Sequence, residues 1–105
     1  AAHALPRGMA SWYGEEHRGR LTASGEPFDP DALTCASWFY PIGQRLIIRH
    51  GPRRVTVRVN DRGPHWRLVR RGRIIDLSAA AFGRISELSL GLVAVEITPI
   101  PSRTP

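Results

Sequence analysis

Lysine is absent from this chain of 105 residues, and cysteine occurs once. With a single thiol, Cys35, no internal disulfide can form. That thiol lies in the apolar stretch LTCASWF with no thiolate-stabilising neighbour beside it. It therefore reads as a small buried hydrophobe rather than a nucleophile. No run of about 18 apolar residues occurs, so no membrane-spanning helix is expected. No segment has the charged start and apolar stretch of a signal peptide, and no N-terminal cysteine is there to carry a lipid. A mature or trimmed chain is the expectation, with any lipid anchor outside it. His3, His17, His50 and His65 show no metal-ligand spacing, so no metal is expected. A phosphate-cradling glycine loop and a Gly-x-Ser-x-Gly elbow are both missing, and no cofactor is expected.

What is abundant is arginine. All fifteen basic residues are Arg, the formal net charge is +6, and eight of the arginines lie between Arg53 and Arg73. Such a patch is either a solvated strand-and-loop face or a surface for an anionic polymer: nucleic acid, lipid headgroups or cell-wall polysaccharide. No named nucleic-acid motif matches, so nucleic acid is not the expected partner.

The length is that of one domain. Short strand candidates fall at 9–14, 33–40, 45–50, 53–60, 73–77 and 92–98, with Gly51–Pro52 turning a hairpin between the third and fourth. Ser78 is placed to N-cap one short helix over AAAFGRI, which Gly83 weakens. Many short strands with Gly/Pro turns and little helix predict a small β-barrel or sandwich. Residues 1–7 read as an N-terminal segment, 8–98 as the domain, and 99–105 as a Pro-rich tail.

Within VTVRVNDRGPHW, Val55, Val57 and Val59 share one face of a strand, and alternation puts Asp61 next on that face. Asp61 is then either a satisfied turn residue or a desolvated acid. Burial keeps a carboxyl protonated at neutral pH, as a glycosidic acid requires, so long as Arg62 points elsewhere. A second acidic group, Glu26, Asp29 and Asp31, lies in the turn-rich TASGEPFDPD. Trp12, Tyr13, Trp38, Phe39, Tyr40 and Trp66 accompany these acids. Each is either core or a flat surface for the C–H face of a sugar, and Trp66, after a turn, is the best placed to be exposed.

The blocks GMASWYGEEHRGRLTASGEPFD, LTCAS with YPIGQRLIIRH, VRVNDRGP and IIDLSAAAFGRI follow one another from Gly8 to about Ile97. Together they resemble the rare lipoprotein A (RlpA) family. The resemblance implies a mainly β fold: a closed six-stranded double-psi β-barrel with one or two short helices. It implies an endolytic peptidoglycan lytic transglycosylase of the bacterial cell envelope. Such an enzyme cuts the MurNAc–GlcNAc β-1,4 bond of glycan strands bare of stem peptides, leaving 1,6-anhydro-MurNAc ends. A non-catalytic wall-binding or expansin-like module is the alternative. Carried over by position, Asp61 is the acid/base carboxylate, with Glu26 and Asp29 as supporting acids. Trp12, Tyr13, Ser37, Arg62, His65 and Trp66 are the expected sugar-binding residues. Ser37 stands where the family often has His, and YPIG replaces the commoner LPFG. A closed barrel has no free edge strand, so a monomer is expected.

Overall fold

The computed structural model describes residues 6–101. His3 and the outer parts of the predicted N-terminal segment and tail lie outside the described residues. Six strands form the framework: β1 (Arg7–Tyr13), β2 (Thr34–Ala36), β3 (Arg45–His50), β4 (Arg53–Asp61), β5 (Arg73–Ser78) and β6 (Val93–Pro99). Two short helices, α1 (Trp66–Val69) and α2 (Ala79–Ile85), accompany them. The strands close into a barrel in the order β1-β5-β2-β4-β3-β6. β1 runs parallel to β5 and β2 parallel to β4, while the remaining pairs are antiparallel. Closure leaves every long strand paired on both sides.

Period-two patterning explains the hairpin. Leu46 and Ile48 of β3 meet Val57 and Val55 of β4 in the core, while Arg45, Arg49, Arg54 and Arg58 alternate with them on the outer side. Gly51, at φ +58°, makes the turn between these strands as the sequence predicts. Cys35, Ile75, Leu77, Val93, Val95 and Ile97 complete the interior. Helix α2 caps it by burying Ala81, Phe82 and Ile85. Its predicted N-cap is present. The Ser78 hydroxyl accepts from the Ala81 N–H at 3.2 Å and donates to the Ala32 carbonyl at 2.5 Å.

Two local departures from the sequence expectation shape the functional region. First, β2 ends at Ala36 instead of running to residue 40. The Ser37 hydroxyl accepts from the Phe39 N–H at 3.1 Å and turns the chain out of the sheet. Second, Asp61 does not continue the valine face. Along the β2–β4 ladder, Cys35 pairs with Val59 but Ala36 pairs with Asp61. Asn60 is therefore an extra residue, a bulge that reverses the alternation and turns Asp61 to the side opposite the valines.

Candidate functional site

The bulge aligns residues from four neighbouring strands. Ser11 pairs with Asp76, Asp76 with Ala36, and Ala36 with Asp61. One row thus crosses β1, β5, β2 and β4 and carries an aspartate on each side of a buried alanine. With strands about 4.8 Å apart, the two aspartate Cα positions lie roughly 10 Å from each other. This row underlies a cleft of about 380 Å³ that Tyr13, His17, Ala36, Asp61, His65 and Asp76 help to line. Gly63 crosses above Ala36. A Cβ there would lie 3.3 Å from the Ala36 Cβ and 3.5 Å from Asp76 Oδ2, so glycine keeps the gap open.

The two carboxylates are held differently. Asp61 Oδ1 accepts from the backbone N–H groups of Ala23, at 3.0 Å, and Arg62, at 2.9 Å. Its Oδ2 has no protein donor among the described residues. The Arg62 guanidinium turns away from Asp61, donating to the carbonyls of Ser37 at 2.8 Å and Tyr40 at 2.5 Å. That satisfies the condition which the acid reading placed on Arg62. Asp76 accepts from the Ser11 hydroxyl and, at 3.3 Å, from Arg73 Nη2. Asp61 thus offers an open oxygen to the cleft, and Asp76 is a braced acceptor.

Tyr13 forms one wall. Its ring stacks on Phe28, with centroids 4.2 Å apart and planes at 18°, and meets His17 edge-on. The phenol oxygen is buried and has no hydrogen-bond partner. Burial above all, then the negative charges of Asp61, Cys35 and Asp76, push its pKa far above the usual phenol range. Tyr13 is a hydrogen-bond donor at any working pH. Opposite, His17 Nδ1 faces Arg20 Nη1 at 2.7 Å. The arginine can only donate, so this contact assigns the His17 proton to Nε2.

The structure brings Tyr13, Asp61, Arg62 and His65 to the cleft. Trp66, next along the chain after His65, is 53% exposed and stacked on Trp38. It does not bring Glu26 there. Arg58 Nη1 and Nη2 donate to the two Glu26 oxygens at 2.7 and 3.1 Å, and the Ser24 hydroxyl adds a third bond at 3.0 Å. These partners, Arg58 foremost, hold Glu26 below the usual carboxylate range, as an anion and not a proton donor. Its position shows what the TASGE block does locally. The same loop supplies the Ala23 N–H to Asp61 and is tied to β4 through Ser24 N–H to the Asn60 carbonyl. Asp29 caps its own turn by accepting from the Asp31 N–H, and lies 3.6 Å from Arg18. Trp12 packs against the core and donates to the Leu88 carbonyl at 2.9 Å. Ser37 is wholly buried in its turn and faces no solvent.

Asp76 is the residue that the sequence reading missed. The signal was a lone acid between Ile75 and Leu77, which alternation puts on the side away from the core. Among the described residues no group of three or more His, Cys, Asp and Glu is arranged to hold a metal. A larger depression, about 460 Å³, lies over Arg7, Arg49 and Glu96, away from both aspartates.

A family described as lytic transglycolase matches residues 6–97. The chain belongs to this family, that of the RlpA-type double-psi β-barrel. It is 49% identical over 81 residues to an endolytic peptidoglycan transglycosylase RlpA of Yersinia pestis, a match covering 75% of this chain and 21% of that protein. A probable endolytic peptidoglycan transglycosylase RlpA of Synechocystis sp. is 46% identical over 95 residues, covering 86% of this chain and 28% of the relative. The chain thus spans about a quarter of the length of these relatives. Among solved structures, Streptomyces papain inhibitor superposes with a TM-score of 0.68 at 24% identity, covering 90% of this chain and 94% of its own. An apo expansin of Clavibacter michiganensis superposes with a TM-score of 0.72 at 19% identity, covering 97% and 53%. At these identities the likeness establishes the barrel alone.

Proposed function

We propose that this barrel is an endolytic lytic transglycosylase of the bacterial cell envelope. It cuts the MurNAc–GlcNAc β-1,4 bond of peptidoglycan strands bare of stem peptides. The observation that carries the reading is the pair of aspartates flanking Ala36 in one cleft. In the proposed reaction, Asp61 in its acid form donates from Oδ2 to the leaving glycosidic oxygen as the C1–O bond breaks. Positive charge develops at C1, and the braced Asp76 carboxylate stabilises it. The 6-hydroxyl of the same sugar then attacks C1, and its proton passes to the Asp61 carboxylate. The anhydro ring closes, Asp61 regains its acid form, and no water is consumed. A separate water-activating base is not needed, because the one Asp61 carboxyl serves first as acid and then as base. Tyr13 walls the cleft, His17 and His65 line the strand's path, and Glu26 acts indirectly by fixing the loop that orients Asp61.

Mass spectrometry of sacculi stripped of stem peptides by an amidase and then digested by the domain tests this. Wild type should release anhydro-MurNAc ends, and Asp61→Asn should lower the rate at least about a hundredfold, the usual worth of a general acid–base residue. Equal release by wild type and Asp61→Asn would sink the assignment. The sealed Ser37, at the position of the family's common histidine, favours the second reading, a wall-binding module without cleavage. Retention on sacculi with no anhydro ends released would establish that reading.

A further inference from the structure

We propose that the stacked pair Trp38–Trp66 is a sugar-binding subsite at the rim of the cleft, taking the apolar face of an N-acetylhexosamine ring. The inference deepens the glycan reading above and rests on it for the substrate class, but not on cleavage. The two indole rings lie 5.0 Å apart with planes at 17°, and both remain open, Trp38 to 39% and Trp66 to 53%. An isolated exposed tryptophan needs no explanation, but two stacked indoles, each 39% or more exposed, form an apolar patch of the kind that marks binding sites. The pair is also fixed. Trp38 Nε1 donates to the Pro64 carbonyl at 2.7 Å. The Arg62 guanidinium clamps the carbonyls of Ser37 and Tyr40, on either side of Trp38 and Phe39. A surface set before binding loses little side-chain freedom when the ligand arrives.

Continuity with the cleft selects the occupant. Asp61, Arg62, Gly63, Pro64 and His65 line the cleft, and Trp66 is the next residue along the chain. Trp38 stands two residues beyond Ala36, the floor between the aspartates. A polymer lying across Asp61 and Asp76 and leaving past His65 meets these indoles. A β-1,4-linked hexosamine presents flat C–H faces that pack on such rings, while its hydroxyls stay in water. The same loop carries a natural control. Phe39 is 55% exposed, but it lines a separate depression with Pro6, Ile74 and Ile97.

The experiment is calorimetric titration of the domain with a hexamer of β-1,4-linked GlcNAc, with folding of each variant checked by circular dichroism. Trp66→Ala and Trp38→Ala should each weaken binding at least about fivefold, and Trp66→Tyr should restore most of it, as stacking requires. Phe39→Ala should bind as wild type does. The proposal is overturned if wild type does not bind the hexamer, if Trp66→Ala binds as tightly, or if Phe39→Ala weakens binding equally. Trp66-dependent pelleting with anionic phospholipid vesicles, with hexamer binding unchanged in Trp66→Ala, would assign the patch to a lipid surface and overturn it too. The readout is binding of a neutral oligomer. A domain that binds through Trp66 yet releases no anhydro ends keeps the subsite and loses the lytic reading.

Discussion

Replacing Tyr13 by Phe should separate stability from activity in this barrel. The phenol oxygen is buried without a partner while the ring is stacked on Phe28. Phenylalanine keeps the stack, worth about 0.5–1.5 kcal/mol beyond area, and removes only the oxygen. A buried donor left unpaired costs about 1–3 kcal/mol. Its removal should therefore leave stability unchanged or raise it by up to about 2 kcal/mol. In a domain near 100 residues each kcal/mol moves Tm by about 4–8 °C, so thermal unfolding resolves the effect. The pH dependence gives a second readout. The folded-state pKa of Tyr13 lies above the unfolded value. The stability from holding it neutral is full below about pH 10 and is lost as pH rises further, because the unfolded chain releases the proton first. Tyr13→Phe should flatten that alkaline decline. Activity should stay near the wild-type rate, because the buried oxygen does not reach a sugar in the cleft. A variant that loses more than about 1 kcal/mol of stability would refute the reasoning, since the hydroxyl would then be structural.

Three further outcomes follow from the same geometry. Cys35 is fully buried, and burial first, then Asp76, pushes its thiol up to about 12. Ellman's reagent should react only as the protein unfolds, and Cys35→Ala should lessen the stability lost above about pH 9. Gly63→Ala places a methyl 3.3 Å from the Ala36 Cβ and 3.5 Å from Asp76 Oδ2. It should reduce cleavage by a larger factor than it weakens binding to sacculi, as pelleting and product assays will show, and equal losses would mean the loop does not cover the catalytic floor. Glu26→Ala frees the loop that gives its Ala23 N–H to Asp61. It should lower the rate of cleavage, while Glu26→Gln, which still accepts from Arg58, should lower it less, and a wild-type rate in Glu26→Ala would show that Glu26 does not act through Asp61.

The fold was largely legible in the sequence because its strands obey simple alternation. Val55, Val57 and Val59 face inward, Arg54 and Arg58 outward, and the Ser78-capped helix starts and ends where predicted. Legibility fails at Asn60. One extra residue reverses the faces, and alternation along a single strand cannot reveal it, because the bulge exists only relative to the partner β2. The same limit hid Asp76. It joins Asp61 only through Ala36, a residue with no chemistry of its own, and that adjacency comes from two ladders between segments far apart in sequence.

The acidic loop shows a different limit. Glu26, Asp29 and Asp61 share a charge, and charge alone suggests one constellation. Partners decide otherwise. Glu26 is bidentate to Arg58, Asp29 closes a turn, and of the three only Asp61 lines the cleft, where its Oδ2 has no protein donor among the described residues. A carboxylate already bound twice to a guanidinium must break that pair before it can take or give a proton. A carboxylate with one oxygen anchored by backbone N–H groups and the other facing a cleft can exchange a proton without moving. In the proposed reaction this difference in bonding gives the acid/base work to Asp61 and the support to Asp76, and leaves Glu26 to fix the loop that meets Asp61.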